Sequence, residues 1–564
     1  MHRPEHNNPQ FARNEFKCLN GTWQIAIPGK GVTDIEVPFC PESKASGVGH
    51  TDFIPECRYM KTILLEKPGE NERLFLNFGA VDYEAHVYVN GVLVGKHRGG
   101  YVPFAFDIAP YVKEGENKIQ VNVYDDTTGN QPTGKQSDIL ESHGCFYTRT
   151  TGIWQSVWLE KTPKDYIRSV KFFPDIHAVS VDAEVCVEGD GEVEVIVSYE
   201  GREVGRAKRD VRYKNTLRIP LSEKHLWEVG NGRLYDVTIK YGDDVVNSYF
   251  GLREVRYEGM KFMLNDKCVY QRLVLDQGFY PDGIYTATSD DALIKDIKIS
   301  FKMGFNGARL HQKVFEPRFL YHADRLGYMV WGEYPSWGVN YEDLEALGDV
   351  TGEWVASIER DFNHPCIVTW CPLNETWQNL KDNRKVRDVR FIDSIYSTTK
   401  AVDPTRPVVD VSGGYHGHAT DLFDLHCYHD PDRLCAHLEA FSERDEITTD
   451  LTFAPDWYEE NIPYTPGQPV NYSEYGGVSY ATDGKGWGYR ASSSEDEFVE
   501  GYIALTKQLI DCKKVSGFCY TQLYDVEQEQ NGLYNYDRSP KFTEKAIKQI
   551  AECNQAIAAI EKED

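Results

Sequence analysis

The sequence predicts a multidomain chain: two β-sandwiches followed by an α/β barrel. Three observations carry that expectation. Roughly the first 160 residues hold short strand-like runs broken by turn residues, with no long amphipathic helical pattern. The stretch to Arg256 continues as strands, with charged residues alternating with Val and Ile. Beyond Arg256, strand-like and helix-like segments alternate, as in a parallel sheet with crossover helices.

The first unit, residues 1–162, contains strand candidates at Leu74–Phe78, Ala85–Val89, Gln120–Tyr124 and Val157–Glu160. Asn90-Gly91 after the second of these is a strong hairpin signal, because both residues tolerate positive φ. The second unit, 163–256, has the size of an immunoglobulin-like domain, with candidates at Ser169–Phe173, Ala183–Val187, Glu192–Tyr199, Thr216–Ile219 and Leu234–Tyr241. In the third unit, 257–564, the apolar spacing of Asp290–Met303 and Pro317–Leu326 predicts helices. Eight strands are expected there: Cys268–Leu275, Phe305–Leu310, Met329–Trp331, Ile367–Leu373, Val408–Val411, Leu422–Cys427, Val470–Ser473 and Gly517–Gln522. Eight such strands with crossover helices close as a (β/α)8 barrel. An open doubly wound sheet is the competing architecture, and no GxGxxG follows a strand to favour its dinucleotide-binding form.

The 564 residues carry 61 Lys plus Arg against 88 Asp plus Glu, a formal net charge of −27. So acidic a surface repels phosphate backbones and argues against a nucleic-acid partner. No apolar run is long enough to span a bilayer, so no membrane association is expected. Met1–Phe16 lacks the apolar core of a signal peptide, and the 13 cysteines include no CxxC pair. Together these favour a cytoplasmic protein without a disulfide framework or a zinc site. The 13% aromatic content suits β-rich packing, or stacking platforms for a ligand with flat apolar faces such as a sugar.

A barrel of this kind builds its active site at the C-terminal ends of its strands. In chain order those ends supply Asp276, then Arg309 and His311, then Glu333, then Asn374 and Glu375, then Asp410, then His426 and Tyr428, then Glu474, then Gln522 and Asp525. Glu375 closes the strand of HPCIVTWCPLNET and Glu474 the strand of PVNYSEYGG. Two carboxyl groups facing each other at roughly 5–5.5 Å suit double-displacement glycoside hydrolysis, in which one acts as acid and the other as nucleophile. Their proximity keeps one of them protonated near neutral pH. Taken singly, either glutamate reads equally as a salt-bridge partner or a helix cap.

Further segments carry a family resemblance. PQFARNEFKCLNGTW (9–23), FGAVDYEAHVYVNGVLVGKHRGGYVPFAFDI (78–108) and TGIWQSVWLE (151–160) resemble the opening, the sugar-binding jelly-roll signature and the last jelly-roll strand of glycoside hydrolase family 2. Asn374-Glu375 and Ser473-Glu474 resemble that family's acid/base and nucleophile motifs, and TQLYDVEQEQNGLYNYDR (521–538) its last barrel strand and loop. The resemblance implies a jelly roll, an immunoglobulin-like sandwich and a TIM barrel acting as a retaining exo-β-glycosidase. It implies Glu375 as acid/base, Glu474 as nucleophile, Asn374 on the sugar 2-hydroxyl and Arg309 orienting the nucleophile. No cofactor or metal is required, the partner is a small or oligosaccharide β-glycoside, and a homodimer or tetramer is expected. A carbohydrate-binding protein on the same scaffold is the non-enzymatic alternative.

The sugar is less legible. Glucuronidases of this family carry Asn-x-Lys in the loop after strand eight, and NGLYNYDRSPK lacks it. Asn383-Arg384-Lys385 stands elsewhere, after strand four. Tyr520 occupies the position of the family's Trp platform. Lys313 is a candidate for a uronate carboxylate, or else a solvated lysine. Trp370 and Trp377 flank the acid/base as stacking or core residues, and Asp525 and Glu527 offer acidic contacts to a hydroxyl, an ion or water. On these residues a neutral galactoside ranks ahead of a uronide, galacturonide or glucuronide, and of other β-glycosides.

Overall fold

The computed structural model describes residues 3–562 except 342, 377–387, 446, 448–463 and 481–485. Trp377 and Asn383-Arg384-Lys385 lie outside the described residues.

The first unit is a two-sheet sandwich. A six-stranded antiparallel sheet runs in the order Gly31–Val37, Gly21–Ile27, Glu56–Leu65, Gly115–Tyr124, Glu84–Val89, Val92–Arg98. Its partner contains Phe16–Cys18, Val157–Pro163, Glu72–Phe78 and Phe104–Asp107. Alternate residues from both, among them Ile25, Leu76, Phe78, Val87, Val121 and Leu159, meet in one core. This is the period-two burial of a sandwich. Asn90 and Gly91 form the expected tight turn, at φ 51° and 83°, with Val89 paired to Val92.

The second unit differs from the sequence reading in one respect. Ala183–Val187 and Glu192–Tyr199 are parts of one strand, Ser180–Tyr199, paired along most of its length with Arg202–Pro220. The Gly189–Gly191 stretch suggests a turn by composition. It forms instead a bulge between Cys186 and Asp190, where Gly189 takes φ +92°. A bulge bends a strand without ending it. The bent sheet gathers Val181–Val187 and Val193–Val197 into the same core.

The third unit is the barrel. Seven parallel strands form one curled sheet, in spatial order Ile367–Cys371, Met329–Glu333, Gly307–Leu310, Gln271–Asp276, Val515–Thr521, Val470–Gly476, Phe423–Cys427. The eighth segment, expected at Val408–Val411, pairs with strand four through single bridges, Trp370 to Val408 and Asn374 to Ser412. It stands between strands four and six, where Asp421 N also bonds Val408 O at 3.0 Å. Seven helices, including Asp290–Lys302 and Pro317–Leu326, are described around the sheet. Ser289 caps the first, and Gly327 ends the second in a left-handed turn at φ 68°.

The units are tied together. Arg3 reaches Glu316 of the barrel at 2.6 Å, and Arg13 binds Asp244 of the second unit at 2.8 Å and Glu160 of the first at 3.2 Å. All 13 cysteines are free thiols. No helix among the described residues is long and apolar enough to cross a membrane.

Candidate active site

The strand ends converge on Arg309, a fully buried side chain on strand two. Its Nε donates to Glu333 at 2.5 Å, one terminal nitrogen to Glu474 at 2.9 Å, and the other to the Asn374 side-chain oxygen at 2.6 Å. One planar guanidinium therefore fixes residues of strands three, seven and four at once. Tyr428, from the end of strand six, donates its hydroxyl to the other Glu474 oxygen and lies flat against Tyr489, with ring centroids 3.5 Å apart.

Glu375 faces this group from strand four. Its backbone is left-handed, φ 47°, a conformation that costs energy in a residue other than glycine and recurs at functional sites. His426 Nδ1 lies 2.6 Å from Glu375 and 3.5 Å from Glu474. Its other nitrogen meets Ser412 and Ser473 at 2.9 and 3.1 Å. Gly413 leaves room for this imidazole, since a Cβ there would stand 2.0 Å from the ring.

The two glutamates are shifted in opposite directions. Burial opposes the charge on Glu474, but His426 and Arg309 outweigh it and bring its pKa down to about 2. Glu375 moves upward, because burial and the neighbouring Glu474 charge exceed the help it receives from His426. Donor atoms of Glu375, His426 and Glu474 all lie within 4.8 Å of one another. They are metal-ligand types, but here they bond to each other, to Arg309 and to Tyr428. A second such group, Asp324, His364 and Cys366, is buried, with His364 bonded to Asp324 at 2.5 Å.

His311 belongs to the pocket. It bonds Glu333 at 3.0 Å, and burial, followed by the nearby Lys135 and Arg309 charges, holds its pKa well below the usual histidine range. The Asn374 amide nitrogen is buried and unpartnered, a donor left over for a ligand.

Other expected residues are engaged elsewhere. Tyr520 is not the sugar platform: its ring packs against Tyr502 and Tyr475, at 4.6 and 5.4 Å, on the helix side of the sheet. The adjacent Thr521 faces the mouth and meets Tyr428 at 3.1 Å. Lys313 is not a pocket cation: it donates to Gly278 O and Tyr285 O at 2.6 and 2.7 Å, and burial brings its pKa down to about 7. Asp276 accepts from Tyr524 and from Gly278 N, and burial pushes its pKa up to about 6. Asp525 braces its loop through Lys541 and Gly532 N, and Glu527 accepts from Thr148 N. Gln522 lies in an amide chain between Gln277 and Asn531. Asp410 binds His416 at 2.8 Å. Trp370 is a core residue, bonded to Asp403.

The sequence reading missed a wall contributed by the first sandwich. Its loop through residues 125–151 docks on the barrel: Thr133 N bonds Trp337 O at 2.8 Å, and Tyr147 OH bonds Glu529 at 2.5 Å. Trp337 Nε1 in turn reaches Asn374 O at 3.2 Å. Lys135 on this loop lies over the Trp337 ring, 4.1 Å from its centroid. Such contacts join positions far apart in the chain and leave no local periodicity to read.

Comparison with known proteins agrees with this architecture. Residues 44–163 match the sugar binding domain of glycosyl hydrolases family 2, and residues 255–555 match that family's TIM barrel domain. The chain belongs to glycoside hydrolase family 2 and is a β-glycosidase of that family. A β-glucuronidase of Streptococcus agalactiae is 30% identical over 64% of this chain and 67% of its own length. A β-galactosidase of Thermoanaerobacter pseudethanolicus is 26% identical over 66% and 50%. The structure of a β-D-glucuronidase from Dictyoglomus thermophilum superposes with a TM-score of 0.76 at 22% identity, covering 99% of each chain.

Proposed function

We propose that the chain is a retaining exo-β-glycosidase acting on β-uronides, in place of the neutral galactoside ranked first from the sequence. The observation that carries the mechanism is the pair of adjacent glutamates, of which Glu474 alone is gripped by Arg309 and Tyr428 while Glu375 has only His426. Their spacing, within 4.8 Å between donor oxygens, leaves no room for the water that an inverting enzyme places between its carboxyl groups.

Glu375 protonates the glycosidic oxygen as Glu474 attacks the anomeric carbon, forming a glycosyl-enzyme and releasing the alcohol. Glu375, now ionised, takes a proton from water, whose oxygen displaces Glu474 with net retention. Arg309 and Tyr428 hold the attacking carboxylate in place. The free Asn374 amide donates to the sugar 2-hydroxyl, a contact that strengthens as positive charge grows on the ring. The uronide preference draws on the relatives named β-glucuronidase, one of them from Paenibacillus borealis and matched over 84% of its length.

A panel of 4-nitrophenyl β-glycosides tests both levels. Turnover of glucuronide or galacturonide above galactoside and glucoside is expected, and galactoside preference would overturn the glycone reading. A 2-deoxy-2-fluoro uronyl fluoride should attach to Glu474, seen by peptide mass. A label on Glu375 would overturn the role assignment.

A further inference from the structure

A buried cation at the barrel mouth stands without an ion-pair partner among the described residues. Lys135 is 6% exposed, in a chain otherwise rich in acids. Its ammonium sits over Trp337, yet among the described residues no carboxylate comes within 4 Å and no oxygen accepts a hydrogen bond from it. Neighbouring cations are already engaged: Arg309 with Glu333 and Glu474, Lys313 with two carbonyls, Lys541 with Asp525. The acid nearest in character, Glu529, spends its oxygens on the Tyr147 hydroxyl and the Asn531 amide.

The position of Lys135 is built. Its carbonyl accepts from Tyr147 N at 2.8 Å, and Ser137 N returns the bond to Tyr147 O at 2.9 Å. Gly134, at φ +55°, passes so close to the barrel that a Cβ would stand 2.3 Å from Gln312 O. That approach carries the next residue into the pocket. Burial works against the charge, but Cys145, Glu529, Glu474 and Glu375 together keep the amine protonated. The Trp337 ring beneath the ammonium donates to Asn374 O at 3.2 Å, which sets Lys135 beside the strand end that carries Glu375.

The surrounding acids offset the burial of this charge, but the ammonium keeps its hydrogen bonds unspent, so a ligand carboxylate can take charge-assisted hydrogen bonds from it. We propose that Lys135, on the loop of the first sandwich, is the specificity residue that binds the carboxylate of a uronide glycone. The sandwich thereby supplies a cation in place of the Asn-x-Lys pair that the loop after strand eight lacks in this sequence. The inference rests on the β-uronide reading above.

Its test is the ratio of kcat/KM for 4-nitrophenyl β-uronides to that for the matching neutral glycosides. Lys135→Met should lower this ratio about 10²-fold, the loss expected when one partner of a buried charge pair is removed. Lys135→Arg should restore part of it. An equal loss on uronide and neutral substrates would overturn the proposal, because Lys135 would then only balance the field of the glutamates. If Lys135→Met does not fold, Lys135→Gln gives the same reading, with thermal unfolding as the control. Wild-type enzyme that turns over no uronide would instead overturn the glycone reading, an outcome visible before any variant is made.

Discussion

The two walls of the pocket carry the same residue type and treat it in opposite ways. On the strand-seven side, Glu474 receives Arg309 at one oxygen and Tyr428 at the other. On the strand-four side, Glu375 has His426, which also faces Glu474. Glu474 is buried and Glu375 half-buried, and desolvation penalises both charges. The difference lies in how many positive groups each wall provides. His426 and a guanidinium locked by Glu333 lower the Glu474 pKa, while the neighbouring carboxyl is pushed upward.

The strongest way to break this asymmetry is to remove its charged end. Glu474→Gln should lower kcat by about 10⁴-fold or more on every glycoside, as for other lost nucleophiles. Glu375→Ala should cost about 10²–10⁴-fold on substrates with poor leaving groups and far less on 4-nitrophenyl substrates. Azide should then restore turnover and yield the β-azide, whereas an α-azide would exclude retention. Arg309→Met should narrow the contrast itself, leaving His426 as the main cation beside Glu474. With its cation gone the Glu474 pKa rises, so the acid limb of the kcat/KM–pH profile should move to higher pH, and an unmoved limb would refute this role for Arg309.

The wild-type profile should be bell-shaped. Activity requires ionised Glu474, so it falls as pH drops through the lower value of the pair. It also requires protonated Glu375, so it falls as pH rises through the upper value. Glu375→Gln should remove the alkaline limb and keep the acid one. The smallest effect is expected outside the pocket. Lys313→Met leaves Gly278 O and Tyr285 O unpaired and should cost about 1–3 kcal/mol of stability, read by denaturation, without changing glycone ranking. Since its folded pKa is depressed to about 7, wild-type stability should gain from this group as pH rises from 7 towards the free-lysine value.

These contrasts also mark what the sequence could disclose. Strand ends are legible because apolar runs stop at polar residues, and Asn374, Glu375, His426, Tyr428, Glu474 and Arg309 do meet. The direction of a side chain on a strand apolar on both faces is not legible, since period-two alternation leaves no mark there. Tyr520 therefore looked inward when Thr521 does. The register shift between Tyr472 and Tyr475, opposite strand eight, adds a parity change invisible in composition. Lys313 and Lys135 make the same point: residue type marks a cation, while only tertiary packing shows which one is bonded to carbonyls and which lies over a ring.

The close approach at Gly134 has a consequence for inheritance. A side chain there must push the sandwich loop off Gln312, and with it the wall that holds Tyr147 and Lys135. The barrel excised at the matched boundary near residue 255 would keep its glutamates but lose one side of its pocket. Grafting the sandwich of one relative onto the barrel of another would then exchange substrate preference along with the graft. The pocket wall is thus shared between modules, with Lys135 and Tyr147 from the sandwich set against Trp337 and Glu529 from the barrel.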